Sequence, residues 1–169
     1  MRVEYTRSMK HKGFTVVELI VVIVVIAILA AISLVSYAFV TEDAQDAKIR
    51  SIVQTAGEAI ALHESKNNGA RISGQQYFEN SGGVDSLVPA YLNSDYREGV
   101  SSKNVSAPQY IFRWYPCNNS GGGFVIYASL NNPSPDDVSK FGNTRTSCGH
   151  TDIEAPTSGP VIYNYAKTF

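Results

Sequence analysis

From Phe14 to Val40, apart from aliphatic and aromatic residues, the chain contains only Thr15, Glu18, Ser33 and Ser36, and Leu19 to Ile32 is an unbroken apolar stretch of fourteen. As a helix rising 1.5 Å per residue, residues 14–40 reach roughly 40 Å, enough for a bilayer core of about 30 Å. The segment can span a membrane. Of the 169 residues 44% are hydrophobic, but this average hides two parts. About half of the first forty residues are aliphatic, and the rest of the chain has ordinary soluble composition, with length for one globular domain and not a tandem.

The flanks give the span a direction. Residues 1–13 carry Arg2, Arg7, Lys10 and Lys12 against the single acid Glu4, whereas Glu42, Asp43 and Asp46 follow the run. The positive-inside rule then places the N-terminus in the cytoplasm and everything after Val40 outside. A short basic leader before an apolar core also describes a secretory signal peptide, with Ala31-Ile32-Ser33 as a small-x-small cleavage site. The length of Leu19 to Ile32 is compatible with that reading. Glu18, between the basic leader and the core, argues against it.

Glu18 is the residue out of place. A charge at a membrane-helix centre costs about 2.5 to 3.5 kcal/mol on insertion scales, and less near an interface, and no basic side chain adjoins this one in sequence. A shallow position reaching headgroups is the plain explanation. The neighbours suggest another. The string Lys12-Gly13-Phe14-Thr15-Val16-Val17-Glu18-Leu19-Ile20, after a basic leader and before continuous aliphatics, resembles the class III signal of type IV prepilins and pseudopilins. The likeness covers residues 1 to about 40 and combines a Gly-Phe junction, a Glu four residues after the Phe, and a long apolar helix.

This resemblance implies that prepilin peptidase cuts between Gly13 and Phe14 on the cytoplasmic face and that the new Phe14 amine is N-methylated. Gly13 suits the step, since a residue without Cβ lets an enzyme approach the scissile bond closely. It also implies that Glu18 neutralises the Phe14 amine of a neighbouring subunit, and a charge costly alone in lipid becomes acceptable when paired. The partners it implies are the peptidase, further copies or other pilins, an inner-membrane assembly platform, and membrane lipid before assembly. Many family members have Pro or Gly partway along this helix. Ala27 to Val40 has neither, and Ser33 and Ser36 can bend it only mildly.

From Thr41 to about Lys66, Ile49, Ile52, Val53, Ala56 and Ile60 recur at helical spacing, with Asp46, Lys48, Arg50 and Glu58 mostly off the stripe, and Asn68-Gly69 is a stop signal. One helix therefore continues out of the membrane, its stripe packing on a head. Residues 70–108 read as a turn-rich connector, and Leu87-Val88-Pro89-Ala90-Tyr91-Leu92 resembles a segment common in pilin heads. Strands are predicted over Gln109–Tyr115, Phe124–Leu130 and Val161–Ala166, the first two joined by a hairpin through Asn118 to Gly123. Asn131 to Pro160 reads as turn-rich. The expected fold is α+β and pilin-like: a leader 1–13, a membrane-spanning helix 14–40, its amphipathic half 41–68, and a head 69–169 with an antiparallel sheet.

The sequence contains two cysteines, Cys117 and Cys148, both in the exported part, where an oxidising compartment lets them pair. The family resemblance implies the same, a disulfide closing a C-terminal loop. If Cys148-Gly149-His150-Thr151-Asp152 is a strand, Cys148, His150 and Asp152 share a face and with Cys117 offer a small zinc site. Against this stands a disulfide with two solvent-facing polar neighbours, which export favours. Cys148 with His150 as a nucleophile pair is weaker still. Gly121 to Gly123 precede neither a helix nor a Lys-Ser/Thr pair, so they do not form a phosphate-binding loop. Asn104-Val105-Ser106 and Asn118-Asn119-Ser120 match glycosylation sequons at chance level.

Nothing here calls for an enzyme, a metal or a cofactor. Without the leader, ten basic residues face fourteen acidic ones, a formal charge of −4, so attraction to nucleic acid is weak. Tyr110, Phe112, Trp114 and Tyr115 around Arg113 fit a sheet better than base stacking. Two functions from different classes follow: a structural subunit of a pilus-like filament or of a secretion or DNA-uptake pseudopilus, and a membrane-tethered binding or metal-dependent domain that never polymerises. A membrane anchor alone has no use for Glu18 or a free Phe14 amine.

Overall fold

Helix α1 starts three residues after Gly13 and runs from Val16 to Lys66 without a break, as expected from a stretch free of Pro. The computed structural model describes residues 13–72, 76–78, 82–105, 110–118, 123–150 and 163–169, without the side chains of Val35 and Gln76. The chain divides into two compact units, Met1–Phe39 and Val40–Phe169.

In the first unit the described large apolar side chains are exposed, Val16 at 72% and Ile32 at 60% among them. This part of the helix has no apolar face hidden from solvent, and it makes α1 long and apolar enough to cross a membrane. Ser33 and Ser36 turn their hydroxyls back to the carbonyls of Leu29 and Ile32, which satisfies them within the helix.

In the second unit the stripe Ile49, Ile52, Val53, Ala56 and Ile60 is buried as its spacing requires, and Ala59 joins it. It meets one face of a four-stranded antiparallel sheet in the order β1 (Gln76–Tyr77), β2 (Phe112–Pro116), β3 (Phe124–Ala128), β4 (Tyr165–Thr168). Phe112 and Trp114 of β2 and Phe124, Ile126 and Ala128 of β3 face the helix. Val125, Tyr127 and Ala166 face the other way, under Phe141 of helix α2 (Pro135–Ser147). The helix stop is seated where Asn68-Gly69 placed it, both with positive φ, 53° and 79°.

The strands fall close to their predicted places with shifted ends. The first runs over Phe112–Pro116, the second stops at Ala128, and the third begins at Tyr165, while residues 109, 161 and 162 lie outside the described set. Strand β1 is a two-residue element within the predicted connector. That connector also holds a 3-10 turn at Val84–Leu87 and a cis Val88–Pro89 peptide.

In three places the structure departs from the sequence reading or goes beyond it. The segment after Asn131 is not turns throughout: α2 occupies Pro135–Ser147, started by Ser134, whose hydroxyl accepts from the Asp137 amide while the Asp137 carboxylate accepts from the Ser134 amide. Burial pushes the Asp137 carboxyl up, but the Ser134 bonds and the Arg50 guanidinium at 2.7 Å hold it below its ordinary value. Asp46, read as off the apolar stripe, is nonetheless enclosed. It is buried, and its carboxylate accepts from the Asn131 amide at 2.6 Å, the Asn132 amide at 2.8 Å and the Asn131 side chain at 3.1 Å. Third, Cys148 is not in a strand but closes the C-terminus of α2.

Gly57, inside α1, is a close-approach site. A Cβ there would lie 2.2 to 2.5 Å from ring atoms of Phe169, which stacks on Phe124 with ring centroids 5.3 Å apart. In an open helix Ala is better than Gly by about 1 kcal/mol. Here it displaces a partly buried ring, where full burial would contribute about 1.5 to 3 kcal/mol. Gly57→Ala should therefore lower stability by about 1 kcal/mol, yet raise it by about 1 kcal/mol when Phe169 is also Ala. Chemical unfolding of the two pairs checks the change of sign, and stabilisation in both backgrounds would rule the notch out.

Candidate functional site

Gly13, Phe14 and Thr15 precede the first helical residue, so the Gly13-Phe14 bond lies outside the helix. A Cβ on Gly13 would meet nothing within 4 Å, and Phe14 is 82% exposed. Among the described residues, nothing crowds this bond. What sets the helix start is Thr15: its hydroxyl accepts from the Glu18 amide at 3.2 Å, and the Glu18 carboxylate accepts from the Thr15 amide and hydroxyl, each at 2.7 Å. This is a reciprocal capping box, which ties up donors that a helix N-terminus otherwise leaves unpaired.

The box changes the account of Glu18. The carboxylate has no cationic neighbour in sequence, but it is not without local support: two hydrogen bonds and the positive end of a helix oppose its charge. These are neutral donors, so the full negative charge remains available to a cation. The signature Thr15-x-x-Glu18 is a sequence-level helix start, and the sequence reading used only its Glu.

The second constellation resolves as the disulfide that export favours, but His150 is not placed as that reading had it. Cys117 and Cys148 form a disulfide. His150 is not solvent-facing: it is 4% exposed beside the bridge, its Nε2 donates to the Pro116 carbonyl at 2.9 Å, and its Nδ1 pairs with the Tyr127 hydroxyl at 2.9 Å. With both sulfurs bonded to each other and both ring nitrogens engaged, the group offers neither a zinc site nor a nucleophile pair. Among the described residues no cluster of three or more His, Cys, Asp or Glu side chains is placed to hold a metal. Asp152, the leader through Lys12, and residues 106, 119 and 120 of the two sequons lie outside the described residues. Phe112 and Trp114, each 1% exposed, are core residues, and Arg113 and Tyr115 point to the opposite face.

No curated protein and no solved structure matches the chain. Residues 8–34 match the family model of the prokaryotic N-terminal methylation motif, a stretch that contains the Gly13-Phe14 junction, the Thr15-Glu18 box and the apolar start of α1. With that match, an apolar helix able to cross a membrane, and an α+β head of helix on antiparallel sheet, the chain carries the N-terminal signal of type IV pilins and pseudopilins.

Proposed function

We propose that the chain is a structural filament subunit, made as a precursor with a leader 1–13, a membrane and filament-core helix 14–40, its amphipathic continuation 41–68 and a head 69–169. Prepilin peptidase cuts between Gly13 and Phe14, and the Phe14 amine is methylated. Before assembly the helix sits in the cytoplasmic membrane with the head outside. In the filament Glu18 pairs with the Phe14 amine of a neighbour.

The observation that carries this reading is the coincidence, within residues 8–34, of a methylation motif with a Gly-Phe bond outside the helix and an apolar helix whose described side chains are exposed on all sides. Such a surface in a single chain must be covered by lipid or by other helices. Pilus pilins and pseudopilins share this signal, and the proposal covers both.

Intact and N-terminal mass spectrometry of the exported protein tests it. The expected mature chain begins at Phe14 and carries one methyl group. A start near Leu34, or Met1 retained in isolated filaments, would overturn the reading.

A further inference from the structure

Among the described residues Arg113 is a cation without an anion. Arg50, Arg71 and Arg97 each have a carboxylate, at 2.7, 3.9 and 2.6 Å. Arg113 has none among the described residues. It lies instead on the face of the sheet turned away from α1, directly across the ladder from Tyr77. Its guanidinium carbon stands 4.4 Å from the centre of the Tyr77 ring and 5.5 Å from that of Tyr163. Nη2 donates to the Tyr77 hydroxyl and Nη1 to the Tyr115 hydroxyl at 3.4 Å. Nε is closed off from solvent, with no acceptor among the described residues. Tyr110 continues the aromatic surface, its ring edge-on to Tyr77 at 5.1 Å, and its carbonyl accepts from the Tyr163 hydroxyl.

A half-buried charge is costly unless it is paired, and stacking on tyrosine rings offsets only part of the cost. Packing alone would be met as well by a methionine or leucine. The donor count shows what the charge is free to do. Each Nη nitrogen carries two protons, and one on each is directed at a tyrosine oxygen. One proton on each remains for an acceptor from outside the cluster, and a carboxylate, with two oxygens, is the acceptor a guanidinium suits best.

We propose that Arg113, with Tyr77 and Tyr110 beside it, forms a binding site for an organic monocarboxylate. The carboxylate accepts from the Nη protons left free, and the carbon body of the ligand rests on the tyrosine rings. The single charge decides between anions: the cluster brings no second Lys or Arg toward the guanidinium among the described residues, and Lys167 is occupied with Gln54 on the helix side of the sheet. A phosphate dianion would be half neutralised, whereas a carboxylate is matched. The half-buried aromatic surround supplies the apolar contact that most small-molecule sites use. A carboxylated sugar has both parts.

The test uses the processed full-length protein in zwitterionic detergent, labelled with nitrogen-15 on arginine side chains, with the Arg113 Nε resonance assigned by its loss in Arg113→Gln. Glucuronate should shift that resonance saturably at millimolar concentration. Acetate should bind about tenfold more weakly, because it lacks the body that contacts the rings, and glucose should have no effect. Phosphate should bind no better than acetate. Arg113→Gln should abolish the glucuronate response seen at the tyrosine ring protons. Should that variant fail to fold, Tyr77→Leu, at the sheet edge, should weaken glucuronate and leave acetate unchanged. No response of Arg113 to any of these anions would mean a sealed structural cation and overturn the proposal. Equal binding of acetate and glucuronate, or tighter binding of phosphate, would overturn the assigned ligand class.

Discussion

Glu18→Gln protein, expressed as the sole copy, should be cut after Gly13 and held in the membrane, and should be nearly missing from sheared filaments. The capping box makes this substitution sharper than it looks. Gln serves at the third helical position as Glu does, so its side-chain carbonyl can still accept from the Thr15 amide and the helix can still start at Val16. What is lost is the charge. If that charge pairs with a neighbour's Phe14 amine, the variant leaves a cation alone inside a bundle of apolar helices. Removing one member of a buried pair costs about 3 to 5 kcal/mol, or two or more orders of magnitude in each contact. Insertion of the monomer should become easier, since a carboxylate no longer enters the apolar layer. Glu18→Ala, which removes both charge and cap, is the control. A filament assay beside a membrane blot reads both variants. Normal incorporation of Glu18→Gln with loss of Glu18→Ala would show that Glu18 acts as a cap and not as an assembly charge.

The parts of the structure legible in the sequence are those whose causes are local. The stripe on α1 is a matter of spacing, so Ile49 through Ile60 could be placed in the core before any partner was known, and Asn68-Gly69 could be placed at the stop. The aromatic and β-branched runs marked β2 and β3, but their ends moved by a few residues because pairing, not composition, decides where a strand stops. Helix α2 escaped because it has almost no stripe to read. Of its described side chains only Phe141 is buried, Val138 is half exposed, and Gly142 and Asn143 lower its propensity. Its signal was the Ser134-Pro135-Asp136-Asp137 start, a capping pattern rather than a hydrophobic one.

Other parts have distant causes. Asp46 was legible only as an acid off the apolar stripe, and the backbone amides that its carboxylate accepts from belong to residues 131 and 132. His150 looked solvent-facing, but Tyr127 and the Pro116 carbonyl, more than twenty residues away, enclose it. No window of sequence contains both halves of either arrangement. The processing signal is the opposite case. Gly13, Phe14, Thr15 and Glu18 span six residues, and the box that joins the last two was readable from Thr15-x-x-Glu18 alone.

The other large effect expected is at the disulfide. Cys117 follows β2 directly, Cys148 ends α2, and 31 positions separate them in sequence. The bond therefore fixes the end of one sheet strand to the end of a helix whose own hold is slight: Phe141 in the apolar cluster and Asp137 on Arg50. Restricting a loop of this length in the unfolded chain stabilises the fold by about 3.5 to 4 kcal/mol on the chain-entropy account. The local cost of losing it adds to that. His150 and Tyr127 pack in the same small cluster as the bridge, so a loosened α2 would expose a buried imidazole and phenol with their partners displaced. The Cys117→Ser, Cys148→Ser double variant should thus lose most of a typical head's stability, and its first failure should be at α2 and not at the α1 stripe, whose contacts are apolar and independent of the bond. Hydrogen exchange followed by mass spectrometry should show Pro135–Ser147 exchanging freely under conditions where Ile49–Ile60 is still protected. Thiol labelling of the denatured, unreduced native protein should find no free cysteine. Equal protection of α2 with and without the bond would show that Arg50, Asp137 and Phe141 suffice to hold the helix, and that the disulfide acts on the unfolded chain alone.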